Sequence, residues 1–355
     1  MSKIYNSLGT MSGTSFDGID VSISKTNGED VFENSINLYC SFDQNLKKDL
    51  KNLKDKIKNP EDVAAVSQTK EFKDLENKIT LLHIDLINEA VKKSDVKLDI
   101  IGFHGITLFH DAKKKFTFQM GDANLIKEKT GIDVVKNFRQ NDLDHGGQGA
   151  PLTPIFHSFI LDKQNNYDAI INIGGISNIT YLKSNKLFAT DIGPGNCLID
   201  SWINHYFNFP FDENGKFSSI AKPDLIIANN FIDRFNFQNN LSFDANDFSI
   251  SEFRNLDKNI GAATLTFITA NLILTFMNEK KINKALLSGG GRKNKTIINY
   301  LEARADNIDQ LSFDGDFIES QAFAYLAVRS LLKLPLSFPE TTGVSKPVSG
   351  GEIVN

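Results

Sequence analysis

The run Gly9-Thr10-Met11-Ser12-Gly13-Thr14-Ser15-Phe16-Asp17-Gly18-Ile19-Asp20 carries the densest chemistry in this chain. Glycines let backbone approach a ligand closely and adopt positive φ. Successive N–H groups in such a turn form a concave anion site. Thr14 and Ser15 add hydroxyl donors, and Asp17 and Asp20 offer carboxylates to a metal or a proton. This is phosphate-handling chemistry. No Gly-Lys-Ser/Thr closes the run, so it is not a Walker A loop.

Two further glycine-rich turns share that character. Asp191-Ile192-Gly193-Pro194-Gly195-Asn196 pairs an acid with a tight turn before a helix N-terminus, where an anion is favoured. Gly289-Gly290-Gly291 lets backbone lie flat against a planar ring. Asp191 can act as a general base if it reaches the proton to be removed; it can equally cap the helix that follows. Glu319, at the start of the last helix, is a second acid whose position also suits the helix dipole. His104 follows a buried strand and can touch a sugar or a phosphate, or serve packing alone. Arg139 can clamp a carboxylate with both arms of its guanidinium, or form a surface ion pair.

The elements that must hold these residues repeat a plan. Ile4–Leu8, Val21–Ser24 and Ser35–Cys40 read as strands, with a hairpin turn at Asn27-Gly28. Leu46, Leu50, Leu53 and Ile57 mark a helix with a solvated lysine face, broken at Asn59-Pro60, and a longer helical pattern runs to about Ala90. Asp99–Phe103 is a strand delivering His104-Gly105 at its end. Thr117–Gln119 and Ile132–Val135 are short strands flanking a helix that Asp122 can cap. In the second half Ala169–Ile173, Ser177–Leu182 and Leu187–Thr190 again give strand, glycine turn, strand, hairpin (at Ser184-Asn185) and strand, and Ala285–Leu287 adds another. Two such halves facing each other across a cleft would bring their glycine turns to one ligand. A helix follows at Asn294–Arg304, another at Glu319–Leu332, and 335–355 reads as loop.

Composition bounds the rest. The 355 residues suit two domains, and 41% hydrophobic with 23% charged is ordinary for a globular protein. A net charge of -5 gives no sign of a nucleic-acid partner. Two cysteines, Cys40 and Cys197, make neither a disulfide framework nor a zinc pair. The chain opens without a signal-peptide core, and the apolar stretch Gly261–Met277 is interrupted by threonines, so it reads as a core helix and not a membrane span. A cytoplasmic protein is expected. GxGxxG after a strand, GxSxG and HExxH are all missing, which lowers dehydrogenase, hydrolase and zinc-peptidase readings.

Taken together, these motifs resemble those of the anhydro-N-acetylmuramic acid kinases, of the hexokinase–Hsp70–actin superfamily. The opening run is similar to that family's first phosphate loop. Gln119-Met120-Gly121-Asp122, Thr130-Gly131 and Gly146-Gly147-Gln148-Gly149-Ala150-Pro151-Leu152 resemble its middle signature. Asn172-Ile173-Gly174-Gly175-Ile176-Ser177-Asn178-Ile179-Thr180 and Asp191–Asn196 resemble its second half. Ser288-Gly289-Gly290-Gly291-Arg292-Lys293-Asn294 is similar to its adenosine motif, and Glu319–Ala327 to its closing helix. Two departures stand out: Ile106 replaces the glutamine of the family's His-Gly-Gln-Thr, and the segment Leu241–Ala245 lacks the family's basic pair.

The resemblance implies an α/β, two-lobed actin/hexokinase-like (ribonuclease H-like) fold, with a duplicated βββαβα-type core and an interlobe cleft. Lobes at 1–150 and 151–334 and a tail at 335–355, packed on a lobe or partly mobile, are expected. It implies ATP and Mg²⁺, a 1,6-anhydro-N-acetylmuramic acid substrate, a homodimer, and no nucleic acid or membrane partner. Asp191 would activate water and Glu319 would bind the sugar. Gly13, Thr14, Ser15, Phe16, Asp17, Gly18, Ile19 and Asp20, with Gly193, Gly195 and Asn196, would hold the phosphates. Gly289, Gly290 and Gly291 would hold the adenosine, and His104, Thr107 and Arg139 the sugar. No direct metal ligand is assigned. The alternatives are a kinase of the same superfamily for another sugar, and an ATPase switch.

Overall fold

In a computed structural model, residues 2–184, 186–237 and 243–354 are described. Asn185, expected in a hairpin turn, and Leu241 and Ser242 lie outside them. The chain divides into two compact units: residues 1–159 with 317–355, and residues 160–316.

The first unit is built on a sheet of strands β1 (Tyr5–Ser12), β2 (Gly18–Thr26), β3 (Phe32–Ser41), β4 (Ile100–Asp111), β5 (Phe116–Met120), β6 (Asp133–Lys136) and β12 (Glu352–Ile353). Its core order is β3-β2-β1-β4-β6, with β1–β2 and β2–β3 antiparallel and β1–β4 and β4–β6 parallel. The second unit orders β7 (Ala169–Ile173), β8 (Ile176–Lys183), β9 (Lys186–Pro194), β10 (Ala285–Ser288) and β11 (Ala305–Asn307) as β9-β8-β7-β10-β11. Its strand directions are the same. The repeat expected from the glycine-turn pattern is thus a repeat of topology: three antiparallel strands, then two parallel ones reached by crossovers. That is the ribonuclease H-like core of actin/hexokinase-like folds.

Helices cover these sheets. In the first unit α1 (Gln44–Asp55) buries Leu46, Leu50 and Leu53 and is capped by Asp43. The long pattern after Pro60 is two helices, α2 (Pro60–Val66) and α3 (Lys70–Ser94), because Thr69 starts a new cap on the Phe72 amide. Asp122 caps α4 (Ala123–Thr130), as its position before that helix predicts. Next come α5 (Gln140–Asp144) and α6 (Pro154–Lys163), within which the chain passes to the second unit. There α7 (Cys197–Phe207), α8 (Leu225–Arg234), α9 (Lys258–Lys280) and α10 (Lys295–Leu301) follow. Helix α9 is long and apolar enough to cross a membrane, yet 72% of its apolar window is buried in the protein. It is the core helix expected from its threonine-interrupted sequence.

Helix α11 (Ile318–Leu331) departs from the expected boundary at 334: it belongs to the first unit, not to the second. The cause is close packing. A Cβ on Gly9 or Gly102 would overlap the α11 backbone at Ser320 and Phe323, so these two glycines cut the groove in which the helix lies. Ser7 donates to the Ala324 carbonyl at 2.7 Å, and the Ser22 and Ser320 hydroxyls bond at 2.7 Å. The segment after it is also structured. Helix α12 (Pro339–Thr342) and β12 lie in it, and β12 pairs with β6.

Candidate active site

Bulges aim the two most informative side chains. Between β1 and β4 the register runs from Thr10–Phe103 to Ser12–Ile106, so His104 and Gly105 stand opposite the single Met11. The strand continues to Asp111, so His104-Gly105 lies at a bulge inside β4 and not at its end. Between β8 and β9 the register runs from Ser177–Gly193 to Asn178–Asp191, leaving Ile192 as the extra residue. A bulge turns a side chain off the regular alternation. Gly105 makes the first one possible: its φ is +73°, and a Cβ there would stand 2.7 Å from the Met120 carbonyl oxygen.

His104 is buried and both its nitrogens are occupied. Nε2 lies 3.1 Å from Arg139 Nε and 2.9 Å from Arg139 Nη2, and Nδ1 lies 2.9 Å from the Gly105 carbonyl oxygen. Arginine only donates, so Nε2 accepts and Nδ1 carries the proton. Burial first, and then the Arg139 charge, hold the imidazole pKa well below its usual 6.5, so the ring is neutral. Arg139 also donates from Nη1 to the Gly149 carbonyl at 2.9 Å. Gly149 is held in turn: its amide donates to Asp142 Oδ2 at 2.6 Å, while Ser337 and Thr342 donate to Oδ1. Desolvation lowers the Arg139 pKa to about 10, against the pull of Glu319 and Asp142. Glu319 sits in the first turn of α11 with its edge open to water. Crowding by protein atoms pushes its carboxyl up, and Arg139 opposes this. Thr107 accepts from Gln119 Nε2 at 3.3 Å. Ile106, in the place of the family's glutamine, is fully buried in the core.

The opening loop is the β1–β2 connection. The Gly13 carbonyl accepts from the Phe16 amide, and the Ser12 hydroxyl donates to the Gly18 carbonyl. Thr14 and Ser15 are exposed, as hydroxyl donors to a ligand must be. The side chains of Phe16 and Ile19 pack into the core, and Gly18, Ile19 and Asp20 are ladder residues of β2. The Asp17 carboxylate pairs with Lys47 at 3.0 Å.

In the second unit Asp191 does not cap α7; Asn196 stands at that cap position. Instead Asp191 Oδ2 accepts the Phe243 amide at 2.9 Å. Burial raises the carboxyl pKa, and this hydrogen bond only partly offsets it. The amides of Gly195 and Asn196 are spent on the Gly175 and Gly174 carbonyls, and Asn196 Nδ2 holds the Ile173 carbonyl. Gly193 packs against the Phe235 ring. A cavity of about 430 Å³ opens beside this turn, lined by Asn196, Asp200, Phe211, Gly290, Gly291 and Lys293 among others. That volume falls in the range of about 300–1,000 Å³ of small-molecule sites. Gly289 lies just before the lining pair. Arg292, buried, ties the loop down through Asp309 and Asp316.

Sequence reasoning missed Phe211, Asp200 and Phe243. Phe211 and Asp200 line the cavity from 15 and 4 residues beyond Asn196, in no motif that would mark them. Burial of Asp200, with repulsion from Asp212, raises its pKa to about 7. Among the described residues no group of three or more His, Cys, Asp or Glu could hold a metal ion.

The sequence profile of the anhydro-N-acetylmuramic acid kinases matches residues 5–355. This chain belongs to that family. The anhydro-N-acetylmuramic acid kinase of Pelagibacter ubique is 44% identical over 100% of this chain and 99% of its own length. Those of Brucella canis and Agrobacterium fabrum are 37% and 35% identical, covering 99% and 100% of both chains respectively. Among solved structures, a ROK-family glucokinase from Streptomyces griseus aligns with a TM-score of 0.40 at 10% identity, over 91% of this chain and 99% of that one. The family relationship thus spans both units.

Proposed function

We propose that this chain opens 1,6-anhydro-N-acetylmuramic acid with water and phosphorylates O6 from ATP, giving N-acetylmuramic acid 6-phosphate and ADP in the recycling of cell-wall sugars. The observation that carries the reading is Asp191. One carboxylate oxygen is fixed by the Phe243 amide, and desolvation has raised its affinity for a proton. A base works best when its pKa lies near the working pH and its geometry is fixed.

Asp191 takes a proton from water as the water oxygen bonds to the anomeric carbon. The bond from that carbon to O6 breaks, O6 bonds to the γ-phosphorus, and the bond to the β-phosphate oxygen breaks to release ADP. The first unit supplies Arg139 and Glu319 for the sugar. Thr14 and Ser15, with the backbone of Gly13 to Asp20, serve the phosphates. The second unit supplies the nucleotide cavity, which Gly290 and Gly291 line without a Cβ and where the exposed Phe211 ring offers an apolar face to a base. Mg²⁺ would be held chiefly by phosphate oxygens and water, and would neutralise phosphate charge there.

We place the protein in the cytoplasm, as a homodimer. Phe209, Ile220, Leu225 and Ile226 expose large apolar side chains on the second unit, surface that pairing of two copies would cover. Light scattering of the purified chain tests the dimer. The activity is tested by incubating protein, Mg-ATP and the anhydro sugar. ADP must form in step with a phosphorylated sugar; ADP released without sugar counts against the reading. Asp191→Asn should retain ATP binding and lose turnover by several orders of magnitude.

A further inference from the structure

The Arg139 guanidinium is half-buried and its three hydrogen bonds all go to neutral acceptors: His104 Nε2 twice and the Gly149 carbonyl once. Glu319 and Asp142 act on it only through space. A desolvated cation without a contacting carboxylate is costly. Such a residue is suited to a ligand anion. Three of its five N–H groups are spent, which leaves one on each terminal nitrogen, a pair that two oxygens of one anion can take.

His104 is built for one task in this arrangement. The bulge and the positive φ of Gly105 turn the Gly105 carbonyl onto Nδ1, and that bond fixes the tautomer. Nε2 is thereby an acceptor, and it takes the Nε and Nη2 edge of Arg139. The ring is also packed against Phe323, with centroids 4.6 Å apart. A carboxylate in this place would hold the guanidinium as firmly but neutralise it. A neutral imidazole holds it and leaves its charge for the ligand.

We infer that His104 is a positioning residue that aims Arg139 at the lactyl carboxylate of the sugar, so that the pair selects anhydro sugars bearing that group. The inference rests on the kinase reading above. The other anion within the reaction is the transferring phosphoryl group, and the two sources separate experimentally. The two sugars 1,6-anhydro-N-acetylmuramic acid and 1,6-anhydro-N-acetylglucosamine differ only at O3, where the first carries the lactyl ether with its carboxylate and the second a free hydroxyl.

The test compares kcat/KM for these two sugars. The wild type should prefer the carboxylated one, and Arg139→Gln should abolish the preference. His104→Phe keeps a ring against Phe323 and removes the acceptor; it should cut the preference about tenfold or more, chiefly through KM. His104→Gln, whose amide oxygen can accept, should restore much of it. Because the two residues act as one device, the double variant should match Arg139→Gln alone. An undiminished preference in His104→Phe overturns the inference. So do losses that multiply in the double variant, or an Arg139→Gln loss equal for both sugars, which assigns Arg139 to the phosphoryl group. Should His104→Phe fail to fold, His104→Leu against His104→Gln makes the same comparison. A wild type that phosphorylates neither sugar overturns the kinase reading instead.

Discussion

Two effects compete at Asp191. Burial raises the carboxyl pKa above 3.8, and the Phe243 amide lowers it; burial is the larger. A base must be unprotonated to act, so kcat/KM should fall as pH drops through this raised pKa. The acid limb of the profile should therefore lie at higher pH than an ordinary aspartate would give, and Asp191→Asn should have no such limb in its residual activity. A profile flat down to pH 4 would remove Asp191 as the base. Asp200 shows a stability effect of the same origin. Its pKa is about 7 when folded and near 3.8 when unfolded. The folded state then binds the extra proton between pH 4 and 7, and stability declines as pH rises across that window. Asp200→Asn removes the penalty. Its melting temperature should match the wild type near pH 4 and exceed it at pH 8, by roughly 1–3 kcal/mol in unfolding free energy after allowance for water in the cavity.

At the scale of elements, the strands and their glycine turns were legible because period-two alternation and glycine placement are local properties. The role of Asp191 was legible as two alternatives, and the structure removed the cap by placing Asn196 there. The bulges were not legible. Whether β4 ends at His104 or kinks and continues depends on pairing with β1, which no local pattern encodes. For the same reason the sequence leaves His104 between ligand contact and packing, while the structure bonds its nitrogens to Arg139 and Gly105. Gly105→Ala tests the bulge. A side chain at φ +73°, with its Cβ 2.7 Å from the Met120 carbonyl, should cost about 1–3 kcal/mol. Denaturant unfolding reads that loss, and the sugar KM should rise with it because Arg139 loses its support. An unchanged KM in a destabilised variant would show that the bulge serves folding alone.

Across the whole molecule, sequence order conceals which segments build which unit. Residues 317–355 return to the first unit, and this was invisible because the contacts that draw them back span 195 to 317 residues. The consequence reaches the site. Ser337 and Thr342 satisfy Asp142 Oδ1, Asp142 Oδ2 holds the Gly149 amide, and the Gly149 carbonyl holds Arg139. Leaving a buried acceptor without its hydrogen-bond donors costs about 1–3 kcal/mol. The double variant Ser337→Ala, Thr342→Val should therefore melt earlier. It should also raise the KM for the sugar while leaving the KM for ATP near its wild-type value, because the cavity proposed for the nucleotide is lined from residues 160–316 and the Asp142 carboxylate bonds Gly149, Ser337 and Thr342, not the opening loop. Steady-state kinetics with each substrate varied in turn separates the two. Equal rises in both constants would mean that the last residues of the chain stabilise the protein at large, without a path through Asp142 to Arg139.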